Sequence, residues 1–334
     1  MFNRLIITVA ILLCCFSGVR AEPLHLEDEL GRHIFLTEPA KRIVTTFMPA
    51  NLFVLSLGLA DKLVGIGGST KHSYFISHIL SEYNPSVVGN RSAGINLETI
   101  ISLKPDLVLV YGKKDGVRLA DRLASLGIAS VIIQPESFTQ ADFVINLLAK
   151  ATGTERRATK IQAENLRLRE IISKGLAGLA TEDRIQAYYA NSSDLYRTVS
   201  QQMFQHQLLE LAGINNVAEG ISGFYPKVNT EQLLLWDPDV LVRESNDSNK
   251  VEQQLQQASM QSLSRLKQIH IPKESFWDMP SPMAIAGALY LAVNAYPDRF
   301  KEIDLQAELA RYYQISFGDA CLSPIHETAK CQFL

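Results

Sequence analysis

Cysteine is scarce in this chain, and its placement removes whole classes of protein. Of four cysteines in 334 residues, Cys14 and Cys15 sit in an apolar leader, and only Cys321 and Cys331 lie beyond it. A disulfide-knit scaffold and a cysteine-rich zinc centre are both excluded. Positive charge is not in excess either. The formal net charge is −3 with no basic stripe, which argues against nucleic acid as a partner. Beyond the leader no apolar run is long enough to cross a bilayer. The histidines are scattered, with no His-x-x-x-His pair or carboxylate cluster to hold a metal. Catalytic motifs are missing as well. Gly65-Ile-Gly67-Gly-Ser-Thr70 begins like a dinucleotide fingerprint but has Thr70 where the third glycine belongs. Gly220-Ile-Ser222-Gly-Phe is not a nucleophile elbow. With neither a nucleophile nor a cofactor motif, an enzyme is not expected.

What is present begins with an export signal. Arg4 supplies a positive start, residues 5–16 an apolar core, and Val19-Arg-Ala21 a small-residue cleavage site, so cleavage after Ala21 is expected. Leu13 before Cys14 is a poor context for lipidation, and both leader cysteines are expected to leave with the signal. The remaining pair, Cys321 and Cys331, would most simply form a local disulfide in an oxidising compartment.

The chain then contains one motif twice. Asn96-Leu-Glu-Thr-Ile-Ile-Ser-Leu-Lys-Pro-Asp-Leu-Val-Leu-Val110 is echoed by Val228-Asn-Thr-Glu-Gln-Leu-Leu-Leu-Trp-Asp-Pro-Asp-Val-Leu-Val242. Glu98 stands before Pro105 at the same offset as Glu231 before Pro238. Each copy reads as a short helix, a Pro-Asp break and a strand without polar alternation, hence covered on both faces. A helix–strand unit repeated at this distance implies two similar α/β lobes.

Between the copies, residues 154–180 read as one helix. Thr154 stands at its start, and apolar residues recur at Ala158, Ile161, Leu168, Ile172, Leu176 and Leu179. Such a rod would be roughly 35–40 Å long. It lacks the glycine, serine and proline of a flexible linker. The expected fold is α/β, with two Rossmann-like lobes joined by a single long helix and a ligand cleft between them. The divisions are signal 1–21, first lobe 22–153, connecting helix 154–180, second lobe 181–318 and tail 319–334. A hairpin is expected around Asp28 and Gly31, a strand ending at Ser275-Phe-Trp-Asp278, and a helix capped by Ser281.

Ligands of open α/β sheets sit outside the carboxyl ends of the strands. That rule selects loops at residues 47–51, 69–72, 89–94 and 111–114 in the first lobe. In the second it selects residues 190–197, 224–227, 243–244 and 277–279. Their chemistry is aromatic plus cationic, with Arg91, Tyr111, Lys113, Tyr189, Arg197, Tyr225, Lys227, Arg243 and Trp277 as the candidate ligand-binding residues. Such a lining suits a large, flat or anionic ligand.

The chain resembles the periplasmic substrate-binding proteins of ABC importers for iron–siderophore complexes, haem and cobalamin, the helical-backbone class. The resemblance rests on the long connecting helix, on Asn96-Leu-Glu98 with Lys104-Pro-Asp-Leu-Val, on Glu231 with Asp237-Pro-Asp239, and on Trp277 with Ser281-Pro282. It implies a monomer with little hinge motion that hands its ligand to a permease dimer and its ATPase. It also implies that Glu98 and Glu231, one per lobe, dock on basic pockets of that dimer. The ligand ranking follows from the loops. An anionic ferric chelate comes first. Haem, with Tyr111 or His72 near the iron, or cobalamin comes second, the latter weakened by tyrosines where tryptophans are usual. An oxyanion such as molybdate comes third.

Overall fold

The computed structural model describes residues 23–68, 73–90, 94–113, 115–244, 249–272 and 275–318. The leader, His72, Arg91 and both tail cysteines with their expected disulfide lie outside those residues.

The two copies of the repeated motif build the same piece of structure. Asn96 caps the helix Leu97–Ser102 by accepting the Thr99 amide, and Asn229 caps Thr230–Leu235 by accepting the Gln232 amide. Each cap satisfies a donor that the first turn leaves without a carbonyl. The residue before each proline turns left-handed, Lys104 at φ 46° and Asp237 at φ 44°. The aspartate after the proline then ties two strands together. Asp106 accepts the amides of Lys41 and Arg42 at 2.8 and 2.9 Å, and Asp239 accepts that of Gln186 at 2.7 Å. The Pro-Asp pair thus stops a helix and sets the register of the strand that follows.

Those strands lie inside two parallel sheets. The first has the spatial order Ser86–Val87, Leu63–Ile66, Ile43–Thr45, Leu107–Tyr111, Ser130–Ile133. The second has the order Asn215–Asn216, Gln186–Ala190, Val240–Glu244, Lys267–Ile271. All their pairings are parallel. An antiparallel hairpin, Leu24–Glu27 with His33–Leu36, precedes them, its turn held by Asp28 accepting the amides of Leu30 and Arg32. The glycines after Leu63–Ile66 serve packing rather than phosphate binding: a Cβ on Gly67 would lie 2.9 Å from the Thr46 carbonyl oxygen.

The connecting helix is Glu155–Gly175, about 30 Å of rod. It stops short of Leu179 because Gly175 is pressed against the Phe300 ring, 2.3 Å from where a Cβ would sit, and Gly178 turns left-handed. Its buried stripe of Ala158, Ile161, Leu168 and Ile172 belongs to a single apolar core running from Leu26 to Phe317 through both lobes. The last helix, Leu305–Phe317, crosses back to the first lobe. Phe75 of the first lobe meets Phe276, Tyr313 and Phe317 at ring distances of 5.9, 6.3 and 5.2 Å. Arg157, at the start of the rod, donates to the Ser56 carbonyl at 2.6 Å and to the Ser316 carbonyl at 2.9 Å.

Two expectations need correction. The last strand of the second sheet is Lys267–Ile271, and Ser275–Asp278 forms the turn after it. Ser281 does not cap the next helix, which spans Ala284–Ala295; its hydroxyl donates to the Phe276 carbonyl at 2.8 Å and pins that turn instead.

Candidate functional site

The carboxyl ends of the two sheets face each other across a cleft of about 910 Å³. Thr46, Phe47 and Met48 reach it from the end of the strand Ile43–Thr45, Tyr111 from the last position of its strand, and Glu136 from the loop after Ser130–Ile133. The opposite wall carries Phe204, Gln205, Phe224, Tyr225, Glu244, Asp278 and Met279. A side branch of about 290 Å³ opens between Tyr111 and the helix Gly116–Ser125, past Lys113, Arg118 and Arg122. Gln207 donates to the Glu136 carbonyl at 3.3 Å, and Phe138 packs on Phe204 at 5.1 Å, closing one end of the cleft across the lobes.

The polar chemistry of the walls is phenol plus carboxylate. On the first lobe the Tyr111 hydroxyl donates to Glu136, whose carboxylate also pairs with Lys113 at 2.9 Å. On the second, Tyr225 donates to Glu244 at 3.0 Å and accepts from Gln205 at 2.9 Å. Burial pushes the Tyr225 phenol up, and the charges of Glu244 and Asp278 push it further. Burial and then the charge of Glu244 raise Asp278 from the ordinary carboxylate range to about 7. Tyr189 lies beneath this wall with its hydroxyl buried and without a hydrogen-bond partner, and burial raises it too.

The residues singled out from sequence therefore separate. Tyr111 and Tyr225 line the cleft, and Lys113 lines its side branch. Arg197 and Lys227 are exposed, and their backbones pair in an isolated antiparallel bridge. Arg243 is turned away. Strand alternation puts its side chain on the far face of the sheet, bonded to Glu252 and to Gln268 at 2.7 Å, while its neighbour Glu244 takes the cleft face. Trp277 is buried, with its indole N–H donating to Tyr313 at 3.0 Å, and packs the lobe rather than lining the cleft. Sequence reasoning missed Glu136, Glu244 and Asp278. For Glu244 a signal existed: period-two alternation allows only one of Arg243 and Glu244 on the cleft face. Glu98 and Glu231 occupy the same place in their two helices, the second helical residue, and both are exposed.

The sequence profile described as "Periplasmic binding protein" matches residues 44–264. The chain belongs to that family. Among relatives of this periplasmic binding protein, the molybdate-binding protein MolA of Haemophilus influenzae is 23% identical over 92% of this chain and 94% of its own. A vitamin B12-binding protein of Photorhabdus laumondii is 29% identical over 58% of this chain and 70% of its own. In solved structures, molybdate-bound MolA superposes with a TM-score of 0.77 at 21% identity over 88% of this chain and 97% of its own. An ABC transporter solute-binding protein of Sulfurospirillum deleyianum gives 0.76 at 22% identity, over 88% and 95%. The chain is thus a periplasmic substrate-binding protein of the ABC-transporter kind, a solute-binding protein and not an enzyme, which implies an ABC permease and ATPase as partners. No helix among the described residues is long and apolar enough to cross a membrane.

Proposed function

We propose that this protein captures a metal chelate of ferric-siderophore size in the cleft between its lobes and presents it to the permease through Glu98 and Glu231. The cleft carries the reading. Its 910 Å³, faced by Phe47, Tyr111, Phe204, Phe224 and Tyr225 and by two methionines, matches a drug-sized or larger ligand held by ring faces and phenol hydrogen bonds. A bare oxyanion would leave most of that space unfilled and would meet Glu244 and Asp278 where it needs donors. A corrinoid is the second reading, favoured by relatives named for vitamin B12, although no tryptophan lines the cleft among the described residues. Relatives named for vitamin B12, itself a metal chelate, support the class, whereas one named for molybdate supports the oxyanion reading.

The test is mass spectrometry and metal analysis of what copurifies from the native envelope, followed by thermal shift with ferric chelates, haem, cobalamin and molybdate. A ligand at a hundredfold over its dissociation constant stabilises the fold by about 2.7 kcal/mol. A shift with molybdate alone overturns the chelate reading. We also propose signal cleavage after Ala21; the same preparation is then expected to begin at Glu22, and a lipid on Cys14 or Cys15 refutes it.

A further inference from the structure

The two walls of the cleft differ in how their charge is balanced. On the first lobe Glu136 is ion-paired with Lys113 at 2.9 Å. On the second lobe Glu244 is served by three neutral donors: the Tyr225 hydroxyl at 3.0 Å, the Asn191 side-chain amide at 3.1 Å and the Ser192 backbone amide at 3.1 Å. Asp278 lines the same wall. Among the described residues no lysine or arginine forms an ion pair with either carboxylate; Arg243, the nearest in sequence, spends its charge on Glu252 behind the sheet. Behind both acids the Tyr189 hydroxyl is fully buried without a hydrogen-bond partner, within electrostatic reach of Glu244, Asp278 and Tyr225. Phe224 and Tyr225 present aromatic rings at the rim, and such faces also attract cations.

Uncompensated negative charge in a walled cavity is costly, and a partner of opposite charge recovers that cost. We propose that Glu244 and Asp278, backed by the phenols of Tyr225 and Tyr189, form a cation-receiving wall, so that the ligand carries positive charge on the face it turns to the second lobe. The inference rests on the chelate reading for the ligand's frame and replaces the anionic character that the cationic loops suggested. A protonated amine on the chelate, or a net positive complex, meets the requirement; a ferric tricatecholate does not.

The experiment measures binding by titration calorimetry at pH 7.5 with probes matched in size and different in charge. These are a linear ferric trihydroxamate bearing a free ammonium, the same complex with that amine acetylated, and a ferric tricatecholate. Spermidine and citrate are included as metal-free ligands of opposite sign. The ammonium form is expected to bind at least tenfold more tightly than the acetylated form or the tricatecholate. Asp278→Asn and Glu244→Gln are each expected to narrow that preference at least threefold. Asp278→Asn is the safer variant, since among the described residues Asp278 bonds to no other side chain, and melting temperatures check that both variants fold. If no chelate binds but spermidine does and citrate does not, the chelate reading falls and the wall stands. If the acetylated or tricatecholate complex binds as tightly as the ammonium form, or no cation in the panel binds, the wall itself is overturned.

Discussion

Asp278→Asn keeps the shape and hydrogen-bonding capacity of the side chain and removes one of two negative charges from the second-lobe wall. Burial and then Glu244 raise the Asp278 pKa from 3.8 to about 7. A shift of roughly three units at about 1.4 kcal/mol each sets an upper bound of about 4 kcal/mol on what ionising this residue costs the folded state. Burial is the larger cause and the asparagine amide is itself polar and buried, so the substitution recovers only part of that, about 1–3 kcal/mol. The sign follows from proton counting. Between the ordinary and the raised pKa the native state binds more protons than the unfolded chain, so stability is full below about pH 4 and is lost as pH rises through about 7. Asparagine does not titrate. Urea unfolding of the ligand-free protein from pH 3.5 to 9 is therefore expected to show equal stabilities at the acid end and a growing advantage for the variant, complete above pH 7.5. Parallel profiles, or a variant less stable than wild type at pH 8, would refute the reasoning, because the two acids would then not be in conflict.

Other perturbations reach other parts of the molecule. Glu98→Ala and Glu231→Ala are each expected to leave ligand affinity and melting temperature unchanged while weakening uptake, and the double variant to lose most uptake. Engaging both halves of a dimer makes the second contact intramolecular. Normal uptake by the double variant ends the docking role. Glu164 of the connecting helix is buried and bonded to Arg167 and Arg311. Burial works against its carboxylate, but the bonds and charges of those arginines outweigh it and hold its pKa below the ordinary value. Glu164→Ala is expected to cost about 2–4 kcal/mol near neutral pH and progressively less below about pH 4, where wild type loses the same contribution; equilibrium denaturation at pH 7 and pH 3.5 checks both. Gly287→Ala would place a Cβ 2.4 Å from that of Trp277, and about 1–3 kcal/mol of overpacking is expected in the same assay.

The scaffold could be read from sequence because it repeats. The offset from glutamate to Pro-Asp in both copies reports a backbone requirement: a capped short helix, a left-handed stop at Lys104 or Asp237, and an aspartate that accepts strand amides. Apolar period marked the rod, whose helix runs over Glu155–Gly175. The segment at residues 275–281 reads as a strand because Phe276 and Trp277 are apolar neighbours, whereas Phe276 packs on Phe75 of the first lobe and Trp277 bonds to Tyr313 of the last helix. The cleft was half legible. Strand ends pointed to Tyr111 and Tyr225, but a loop's composition does not say which of two neighbours faces inward, and Arg243 drew notice where Glu244 does the facing.

The single core that runs through both lobes has a consequence for how transport reports its cargo. A jaw announces that it is full by shutting, and its partner needs only to recognise the shut form. Here closing would mean tearing Phe75 from Phe276, Tyr313 and Phe317 and pulling Arg157 off two carbonyls. The protein is therefore expected to act as a tray, with nearly the same outline loaded and empty, and small-angle scattering should see little change on loading. News of occupancy must travel in the ligand itself or in the loops that touch it. On that expectation the work of prising the cargo loose would fall on the membrane partner rather than on any spring wound up in the carrier.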